Sequence, residues 1–363
     1  MPCDLPPAPM HDPDGSRRRR RRRYAGTHPR RYEQRYKELQ PGVYPEIHAR
    51  VRQRGGTPAG THVPVLVSEV MACLDPRPGD IVVDCTLGYG GHAAVLLARI
   101  GAAGRLIGLD CDGEQLQRTR QRLAKAGWGV ISTHRSNFAG LAKAIRAEKL
   151  DGVDVIFADL GVSSMQVDDP ARGFSYRHDG PLDMRMDQRL RRTAADLLAQ
   201  LPRAELRDAL REFGDEPDCD RIADEIVRRR ASRPIATTTG LVDLVFAVKG
   251  HTRREWRKVA GSGELHPAAR VFQALRMLVN DELGALSQLL RTVPYCLRPG
   301  GRIGIISFHS GEDRLVKKAF REGQRAGLYE AVAEEVIRPS PSERRDNPRS
   351  SSAKLRWAAR PKS

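Results

Sequence analysis

The chain has 363 residues, a hydrophobic fraction of 40% and a formal net charge of +17 at pH 7. This length predicts more than one domain, and the hydrophobic fraction is sufficient for a packed core. No segment approaches the roughly 18 consecutive apolar residues that cross a bilayer, and the arginine-rich start lacks the apolar stretch of a signal peptide. We therefore expect a cytoplasmic protein, and the positive charge predicts a polyanionic partner, most simply a nucleic acid.

The six cysteines are scattered along the chain and form no C-x-x-C pair. This arrangement argues against a disulfide framework and against a zinc site, so no metal is expected. The sequence leaves the oligomeric state open, and a dimer is one of the states it allows.

Residues 1–60 form a strongly basic segment. It contains the arginine run Arg17–Arg23 and, directly after it, the Arg/Tyr-rich stretch Tyr24–Tyr36. Because like charges repel and apolar residues are few, this segment is predicted to be disordered when free. Tyrosines between the arginines could stack on bases, so the segment is also predicted to contact RNA.

The first half of the folded region, residues 61–167, alternates helical and strand patterns. The predicted elements are a helix over Val63–Leu74, a strand over Ile81–Cys85, a helix over His92–Arg99, a strand over Leu106–Asp110, a helix over Gly113–Ala126, a strand near Val130–Thr133 and a strand over Val153–Ala158. Such alternation predicts a parallel sheet covered by helices, which is a Rossmann-like α/β core.

Three aspartates end three of these strands. Asp84 ends the first strand, Asp110 ends the second, and Asp159 ends the strand that begins at Val153. Ligands of open α/β sheets bind at the carboxyl ends of the strands, so the three acids are predicted to line one pocket. For each acid taken alone, the alternative is a residue that only caps the following turn.

A glycine-rich turn with Gly88, Gly90 and Gly91 follows the first strand. Such a turn lets the backbone approach a ligand closely, and the helix start behind it offers free N–H groups. A pyrophosphate would be repelled by Asp84, whereas the α-ammonium and sulfonium of S-adenosylmethionine would be attracted to it. Asp110 can accept hydrogen bonds from the ribose hydroxyls of that cofactor. The turn therefore predicts S-adenosylmethionine rather than NAD.

Strand patterns disappear over residues 168–265, where helical patterns replace them. The predicted helices include Ala194–Leu201, Arg203–Phe213 and Arg221–Arg230. A block of this size can form a small module of its own, so we predict a helical insert within the sheet domain and assign substrate recognition to it.

The sheet domain resumes over residues 266–363 and ends in a basic tail. The predicted elements are a long helix over Ala268–Arg291, a turn at Pro299–Gly301, a strand over Arg302–Phe308 and a helix that opens at the HSGEDR motif. Ser310 is the expected N-cap of that last helix, and Glu312 and Asp313 are favourable in its first turn.

Several long sequence blocks follow one another between Thr61 and Arg360. They are HVPVL at His62–Leu66, DCTLGYGGH at Asp84–His92, DLGVSS at Asp159–Ser164, RGFSYRHDGPLDMRMD at Arg172–Asp187, HPAARVFQALRMLVNDEL at His266–Leu283, FHSGEDR at Phe308–Arg314 and NPRSSSAKLR at Asn347–Arg356. With these blocks the chain resembles the small-subunit ribosomal RNA methyltransferase H family. The resemblance implies a class I methyltransferase core with a helical insert. It also implies a cytidine in the decoding region of 16S ribosomal RNA as the substrate and N4-methylation as the reaction.

The resemblance also implies a set of cofactor contacts. By motif position these are Gly90, Gly91, His92, Asp110, Phe138, Asp159 and Gln166. The glycine-turn argument adds Asp84 and Gly88. On composition alone, Phe138 could equally be an ordinary core residue.

The proposed chemistry predicts catalytic residues beside the cofactor. A cytosine amine is a poor nucleophile, so the site must position it and accept a hydrogen bond from it. The acceptor is predicted on the loop after the fourth strand, either Asp159 or a carbonyl between Leu160 and Ser163. His309 is the predicted proton acceptor, with local bonding at a helix start as the alternative, and Phe308 is predicted to stack on a flipped-out cytosine.

Four residues depart from the pattern of the family. Tyr89 stands where an arginine is usual, Met165 where a proline is usual, Gly311 where a leucine is usual, and Ser351 where an arginine is usual. The first three suggest an alternative function, a ribosome-assembly factor that binds rRNA but has lost catalysis. An NAD-linked oxidoreductase is a third possibility, disfavoured by Asp84 and by the basic charge.

Overall fold

The computed structural model describes residues 64–125, 130–259 and 265–363. The predicted basic segment over residues 1–60 and its predicted RNA contact lie outside these ranges, as do His62 and Val63. Among the described residues, no helix combines the length and the apolar composition that crossing a membrane requires.

A seven-stranded sheet forms the centre of the molecule. Its strands are β1 Ile81–Asp84, β2 Arg105–Asp110, β3 Val130–Arg135, β4 Val153–Asp159, β5 Leu297–Ser307, β6 Ala331–Val332 and β7 Lys354–Ala359. The strand order is β3-β2-β1-β4-β5-β7-β6, with β1 to β5 parallel and β7 antiparallel to both β5 and β6. This arrangement confirms the predicted Rossmann-like α/β core.

Helices cover both faces of the sheet. They are α1 Val67–Leu74, α2 Gly91–Ile100, α3 Gly113–Lys125, α4 Leu141–Ala147, α12 Glu282–Cys296 and α13 Ser310–Arg325, while the short helices α5 Ser164–Asp168 and α14 Pro341–Asp346 lie in connecting segments. Consecutive strand residues point to opposite faces, so Val82 packs into the cluster with α1 to α3, whereas Val83 packs into the cluster with α4, α12 and α13. The burial of both faces explains the nearly continuous apolar character of the central strands.

A second group of helices forms a hydrophobic cluster of its own. It comprises α6 Ala194–Gln200, α7 Arg203–Gly214, α8 Cys219–Arg230, α9 Thr238–Lys249, α10 Arg253–Val259 and α11 Ala269–Asn280. Their buried apolar residues form one hydrophobic cluster, separate from the two clusters on the sheet, which extends from Phe174 to Leu275. Helix α11 therefore joins this cluster although it follows the predicted insert in the sequence.

The predicted long helix over Ala268–Arg291 is wrong, because the structure contains two helices there. Asp281 lies between α11 and α12 with a φ of 48°, a left-handed conformation that interrupts the helical path. The Asn280 side chain stabilises the break, since it donates to the carbonyl of Met184 at 2.8 Å and accepts from the N–H of Met186 at 2.7 Å.

The predicted turn at Pro299–Gly301 lies inside β5 instead of preceding it. Val153 of β4 pairs with Leu297, but Val155 pairs with Arg302, so β5 carries extra residues between these two pairs. Gly300 has a φ of 76°, which suits the irregular backbone of such a bulge. The backbone therefore does bend at the predicted turn, but the strand continues on both sides of it.

Two helices begin differently from the prediction. The first helix begins at Val67, not near Val63, because Leu66 adopts a left-handed conformation and its N–H donates to Glu343 at 2.7 Å. The N-cap of α13 is His309, not Ser310: its ring nitrogen Nδ1 accepts from the N–H of Glu312 at 3.3 Å. An imidazole can replace a hydroxyl in this role because it offers the same acceptor.

Two ion pairs connect the segment after α5 to the sheet domain. Arg172 Nη1 donates to Asp112 just after β2 at 2.7 Å, and Asp187 accepts from Arg135 of β3 at 3.1 Å. Arg172 also donates to the carbonyl of Arg185 at 3.0 Å. These contacts hold the segment beside the carboxyl ends of β2 and β3.

Candidate functional site

A cavity of about 770 Å³ opens at the carboxyl ends of β1, β2 and β4. Every site residue predicted from the sequence except His309 lines it. These residues are Asp84, Gly88, Gly90, Gly91, His92, Asp110, Phe138, Asp159, Ser163, Gln166 and Phe308. The fold therefore gathers residues that lie far apart in the chain, as the sequence analysis predicts.

The glycine turn forms one end of the cavity. Gly90 is the N-cap of α2 with a φ of 72°, and a Cβ atom there would lie 2.7 Å from Thr119 Cγ2. Thr119 also donates its hydroxyl to the carbonyl of Gly88 at 2.6 Å. The turn thus packs so closely on α3 that a side chain at position 90 would displace it.

Two of the three strand-end acids are tied to the turns that follow them. Asp84 is buried and accepts from the N–H of Thr86 at 3.0 Å, while Asp110 accepts from the N–H of Gly88 at 2.7 Å and of Asp112 at 2.9 Å. The bond from Gly88 links the end of β2 to the glycine turn after β1. These bonds fix both carboxylates at the cavity wall.

Burial makes these two acids unusually weak. It raises the pKa of Asp84 to about 7, and the negative charges of Asp159 and Asp110 add to the rise. Burial also raises the pKa of Asp110 to about 6, against the backbone N–H groups of Asp112 and Gly88. A cation bound among them would favour their ionised forms, so the site suits a positively charged ligand.

Asp159 lies beside His92 at the end of β4. The Asp159 N–H donates to Thr86 Oγ1 at 2.7 Å, and its carboxylate accepts from the N–H of Gly161 at 3.2 Å. His92 Nε2 donates to the carbonyl of Val65 at 2.8 Å, which leaves Nδ1 as the acceptor, 3.9 Å from Asp159 Oδ2. Burial lowers the pKa of His92 to about 4, so the ring is neutral at pH 7.

Three further predicted residues complete the rim. The Ser163 N–H donates to Gln166 Oε1 at 3.3 Å, which joins the loop after β4 to α5. Phe138 is half-buried and follows Asn137, whose side chain accepts from the N–H of Ala139 at 3.2 Å. Its ring both packs on the core and lines the cavity, so the two interpretations of Phe138 are compatible.

Phe308 and His309 differ in position although they are neighbours in the chain. Phe308 follows β5 and packs against the loop after β4, where a Cβ atom at Gly161 would lie 2.8 Å from the Phe308 ring. His309 is turned to Glu312: Nδ1 accepts from its N–H, and Nε2 lies 3.0 Å from its Oε1. Phe308 therefore borders the cavity, whereas His309 supports the start of α13.

Sequence reasoning missed several charged residues of the cavity wall, among them Arg276, Glu282 and Glu312. Glu282 and Glu312 are buried, and Arg276 donates from Nη2 to Glu282 at 2.9 Å. Arg276 and Glu282 could have been suspected, because they are charged residues inside the largely apolar helical block HPAARVFQALRMLVNDEL. Arg172 and Arg349 also line the cavity and were missed.

The departures from the family pattern can be located for Tyr89 and Gly311. The Arg122 guanidinium lies over the Tyr89 ring, 3.5 Å from its centre, so an arginine from α3 stacks on this position of the glycine turn. Gly311 is the second residue of α13. Met165 falls in α5, and its side chain lies outside the described residues.

Comparison with known proteins identifies the family. A family model described as the MraW methylase family matches residues 59–361. The chain belongs to this family. A relative named ribosomal RNA small subunit methyltransferase H 1, from Lachnoclostridium phytofermentans, is 42% identical over 343 residues, 94% of this chain and 92% of the relative.

Two further relatives carry similar names. A ribosomal RNA small subunit methyltransferase H 1 from Agathobacter rectalis is 40% identical and covers 94% of this chain and 97% of its own length. A ribosomal RNA small subunit methyltransferase H from Synechococcus sp. is 47% identical over 308 residues, 82% of this chain and 92% of its own length. The chain thus spans nearly the whole length of its relatives.

Membership of the MraW methylase family makes the chain a methyltransferase that uses S-adenosylmethionine. The residues of the cavity fit this cofactor. Asp84, Asp110 and Asp159 are carboxyl groups gathered at one wall, and the pKa values of the first two are raised by burial. The ammonium and sulfonium charges of the cofactor would stabilise the ionised forms of such acids.

Proposed function

We propose that this chain transfers the methyl group of S-adenosylmethionine to the N4 atom of a cytidine in the decoding region of 16S ribosomal RNA, within the small subunit or its precursor. The observation that carries the proposal is the composition of one cavity. It joins the three strand-end acids, which suit the cofactor, to the aromatic ring of Phe308, which suits a nucleobase. Because the substrate is ribosomal RNA, the proposed site of action is the cytoplasm.

The cofactor would lie against the strand ends. Asp110 would accept hydrogen bonds from the ribose hydroxyls, and Asp84 and Asp159 would balance the positive charges. The remaining contacts would be Gly88, Gly90, Gly91, His92, Phe138 and Gln166. When bound, the cofactor supplies an activated methyl group on its sulfonium.

The target cytosine would lie against Phe308. Stacking on an aromatic ring is the usual way in which an enzyme holds a flipped-out base. Asp159 ends β4 directly before the loop that contacts this ring, and its carboxylate would accept a hydrogen bond from the amine and later its proton. The Ser163 backbone, on the same loop, would help to orient the amine. Positioning supplies most of the rate enhancement, because the amine is a weak nucleophile.

His309 receives a positioning role in this proposal, in place of proton transfer. Its Nδ1 lone pair already accepts from the Glu312 N–H, so protonation there would break the N-cap of α13. Through this cap His309 orients the start of the helix directly after Phe308.

We also propose that residues 168–265 form the insert that recognises the rRNA substrate. The surplus of Lys and Arg over Asp and Glu in the chain supports a phosphate-rich partner. The alternative of an assembly factor without catalysis has less support, since the strand-end acids and Phe308 all line the cavity.

The test is methyl transfer from labelled S-adenosylmethionine to small ribosomal subunits that lack the modification. We expect label in the rRNA with the wild-type chain and a loss of about 100-fold or more in D159A, because the amine loses its acceptor and the cofactor loses one of its carboxylates. The matched control is D151A, an exposed aspartate near the start of β4, which should keep wild-type activity. Tight subunit binding without transfer would instead support the assembly factor.

A further inference from the structure

The cavity has a second charged wall, built from helices instead of strand ends. Arg276 of α11, Glu282 of α12 and Glu312 of α13 contribute to it. Arg276 and Glu282 form an ion pair with 2.8 Å between Nε and Oε1, and Glu312 Oε2 accepts from the Phe308 N–H at 3.0 Å. We call these three residues the helix wall.

Arg276 and Glu282 of the helix wall pair with each other. Arg276 Nε lies 2.8 Å from Glu282 Oε1, and Arg276 Nη2 donates to Glu282 Oε2 at 2.9 Å. Glu282 is only 7% exposed. The pair compensates the charge of both buried groups, as buried ionised groups require. Both residues line the cavity, so a polar molecule there meets a guanidinium and a carboxylate side by side.

The helix wall lies next to the ring assigned to base stacking. Glu312 holds the backbone of Phe308, and the Phe308 ring contacts Gly161 on the loop that begins at Asp159. A base stacked on Phe308 would thus have Asp159 on one side and the helix wall near its edge. The same cavity contains all of these residues.

We propose that Arg276 and Glu282 recognise the edge of the target cytosine and so determine the choice of base, an inference that rests on the proposed function. Cytosine presents an amine donor beside two acceptors, N3 and O2. A carboxylate matches the donor and a guanidinium matches the acceptors. Uracil presents an oxygen in place of the amine, and that oxygen would face the Glu282 carboxylate unfavourably.

The electrostatics of the wall agree with this assignment. Burial raises the pKa of Glu282, and the neighbouring Glu312 raises it further, while Arg276 and His309 lower it. A donor from a ligand would stabilise the ionised form in the same way as Arg276 does. An amine at this position would therefore stabilise the ionised carboxylate of Glu282, whereas a carbonyl oxygen would destabilise it.

The test measures base preference in binding, with S-adenosylhomocysteine present so that no transfer occurs. Two small subunits are compared, one with the target cytidine and one with uridine at that position. We expect the wild-type chain to bind the cytidine subunit about tenfold more tightly, and E282Q to lose this preference, since an amide can pair with either base. R276K retains the positive charge and should lose most of the preference as well.

The control is E216Q, which changes another buried, cation-paired glutamate. Glu216 pairs with Lys249 at 2.8 Å among the insert helices, and it is not one of the residues that line the cavity. We expect E216Q to keep the wild-type preference. A purely structural role of Glu282 would lower the melting temperature but leave the preference intact in E282Q and R276K.

The outcomes separate this inference from the proposed function. If the wild-type chain methylates cytidine subunits but E282Q and R276K keep the full preference, the edge-recognition proposal is overturned and the proposed function stands. A wild-type chain without any preference overturns the proposal as well. If the wild-type chain methylates no cytidine subunit, the proposed function itself fails.

Discussion

The two walls of the cavity hold their charges in different ways. We call the strand-end acids Asp84, Asp110 and Asp159 the strand wall. Asp84 and Asp110 accept hydrogen bonds from backbone N–H groups of the turns that follow them or lie beside them. On the helix wall, Arg276 and Glu282 compensate each other directly across two helices. The strand wall thus brings several carboxyl groups together, which suits a cationic cofactor. The helix wall pairs its charges internally and suits a neutral, polar base.

The sharpest test of this difference is cofactor binding in one variant from each wall. D110A should weaken S-adenosylmethionine binding about 100-fold, because two hydrogen bonds to a charged group contribute about 1.5 kcal/mol each. E282Q should leave the affinity within about twofold of the wild type, as expected for a substitution that touches no cofactor contact. Isothermal titration calorimetry measures both. Equal losses in the two variants would contradict the division of the cavity.

The pH dependence of cofactor binding tests the strand wall alone. Because burial raises the pKa of Asp84 to about 7 and of Asp110 to about 6, both acids are largely protonated near pH 5 and ionised near pH 8. A cationic ligand favours the ionised forms, so its affinity should increase by about tenfold from about pH 5.5 to about pH 7.5. D84N should flatten this increase. An affinity independent of pH in the wild-type chain would show that the acids do not meet the charges of the cofactor.

The contacts of Arg172 connect the segment after α5 to the sheet domain, and we call them the clamp. The clamp should contribute to stability. Arg172 donates to Asp112 and to the carbonyls of Arg185 and Met186. R172A should lower the free energy of unfolding by about 2 kcal/mol, the contribution of hydrogen bonds to a charged group.

Urea denaturation checks the effect of R172A, with R207A as the control. Arg207 pairs with its neighbour Asp208 at a partly exposed position of α7, and ion pairs near the surface contribute less than about 1 kcal/mol. An R172A variant as stable as R207A would show that the clamp is not needed to hold the segment.

The smallest effect is expected at Gly311. Alanine favours a helix over glycine by about 1 kcal/mol, but its Cβ atom would lie 3.2 Å from His309 Nδ1 and crowd the N-cap. The two effects oppose each other, so G311A should change the free energy of unfolding by less than about 1 kcal/mol. Thermal unfolding measures it. A large loss would mean that the His309 cap cannot adjust.

The sequence was sufficient to predict the strand wall because each of its acids ends a local apolar run. Asp84, Asp110 and Asp159 each follow a β-branched or apolar segment, and a parallel sheet brings the carboxyl ends of its strands together. The glycine turn adds a local signal of close backbone approach. Neither inference needs knowledge of contacts between distant segments.

The helix wall could not be predicted in the same way. Arg276 and Glu282 become partners because the chain breaks at Asp281, and the left-handed conformation there has no distinct signal in an apolar helical pattern. His309 is the N-cap instead of Ser310 because its ring can reach the Glu312 N–H, a choice between two adequate acceptors. The bulge in β5 depends on the register with β4, which is a tertiary property.

The most direct test of the central claim is to identify the methylated nucleoside and its position in the rRNA. Small subunits methylated by the wild-type chain are digested, and the fragments are analysed by mass spectrometry. We predict N4-methylcytidine at one position in the decoding region of 16S ribosomal RNA. Methylation of another base, or of a carbon or ring nitrogen atom of cytidine, would contradict the proposed roles of both walls.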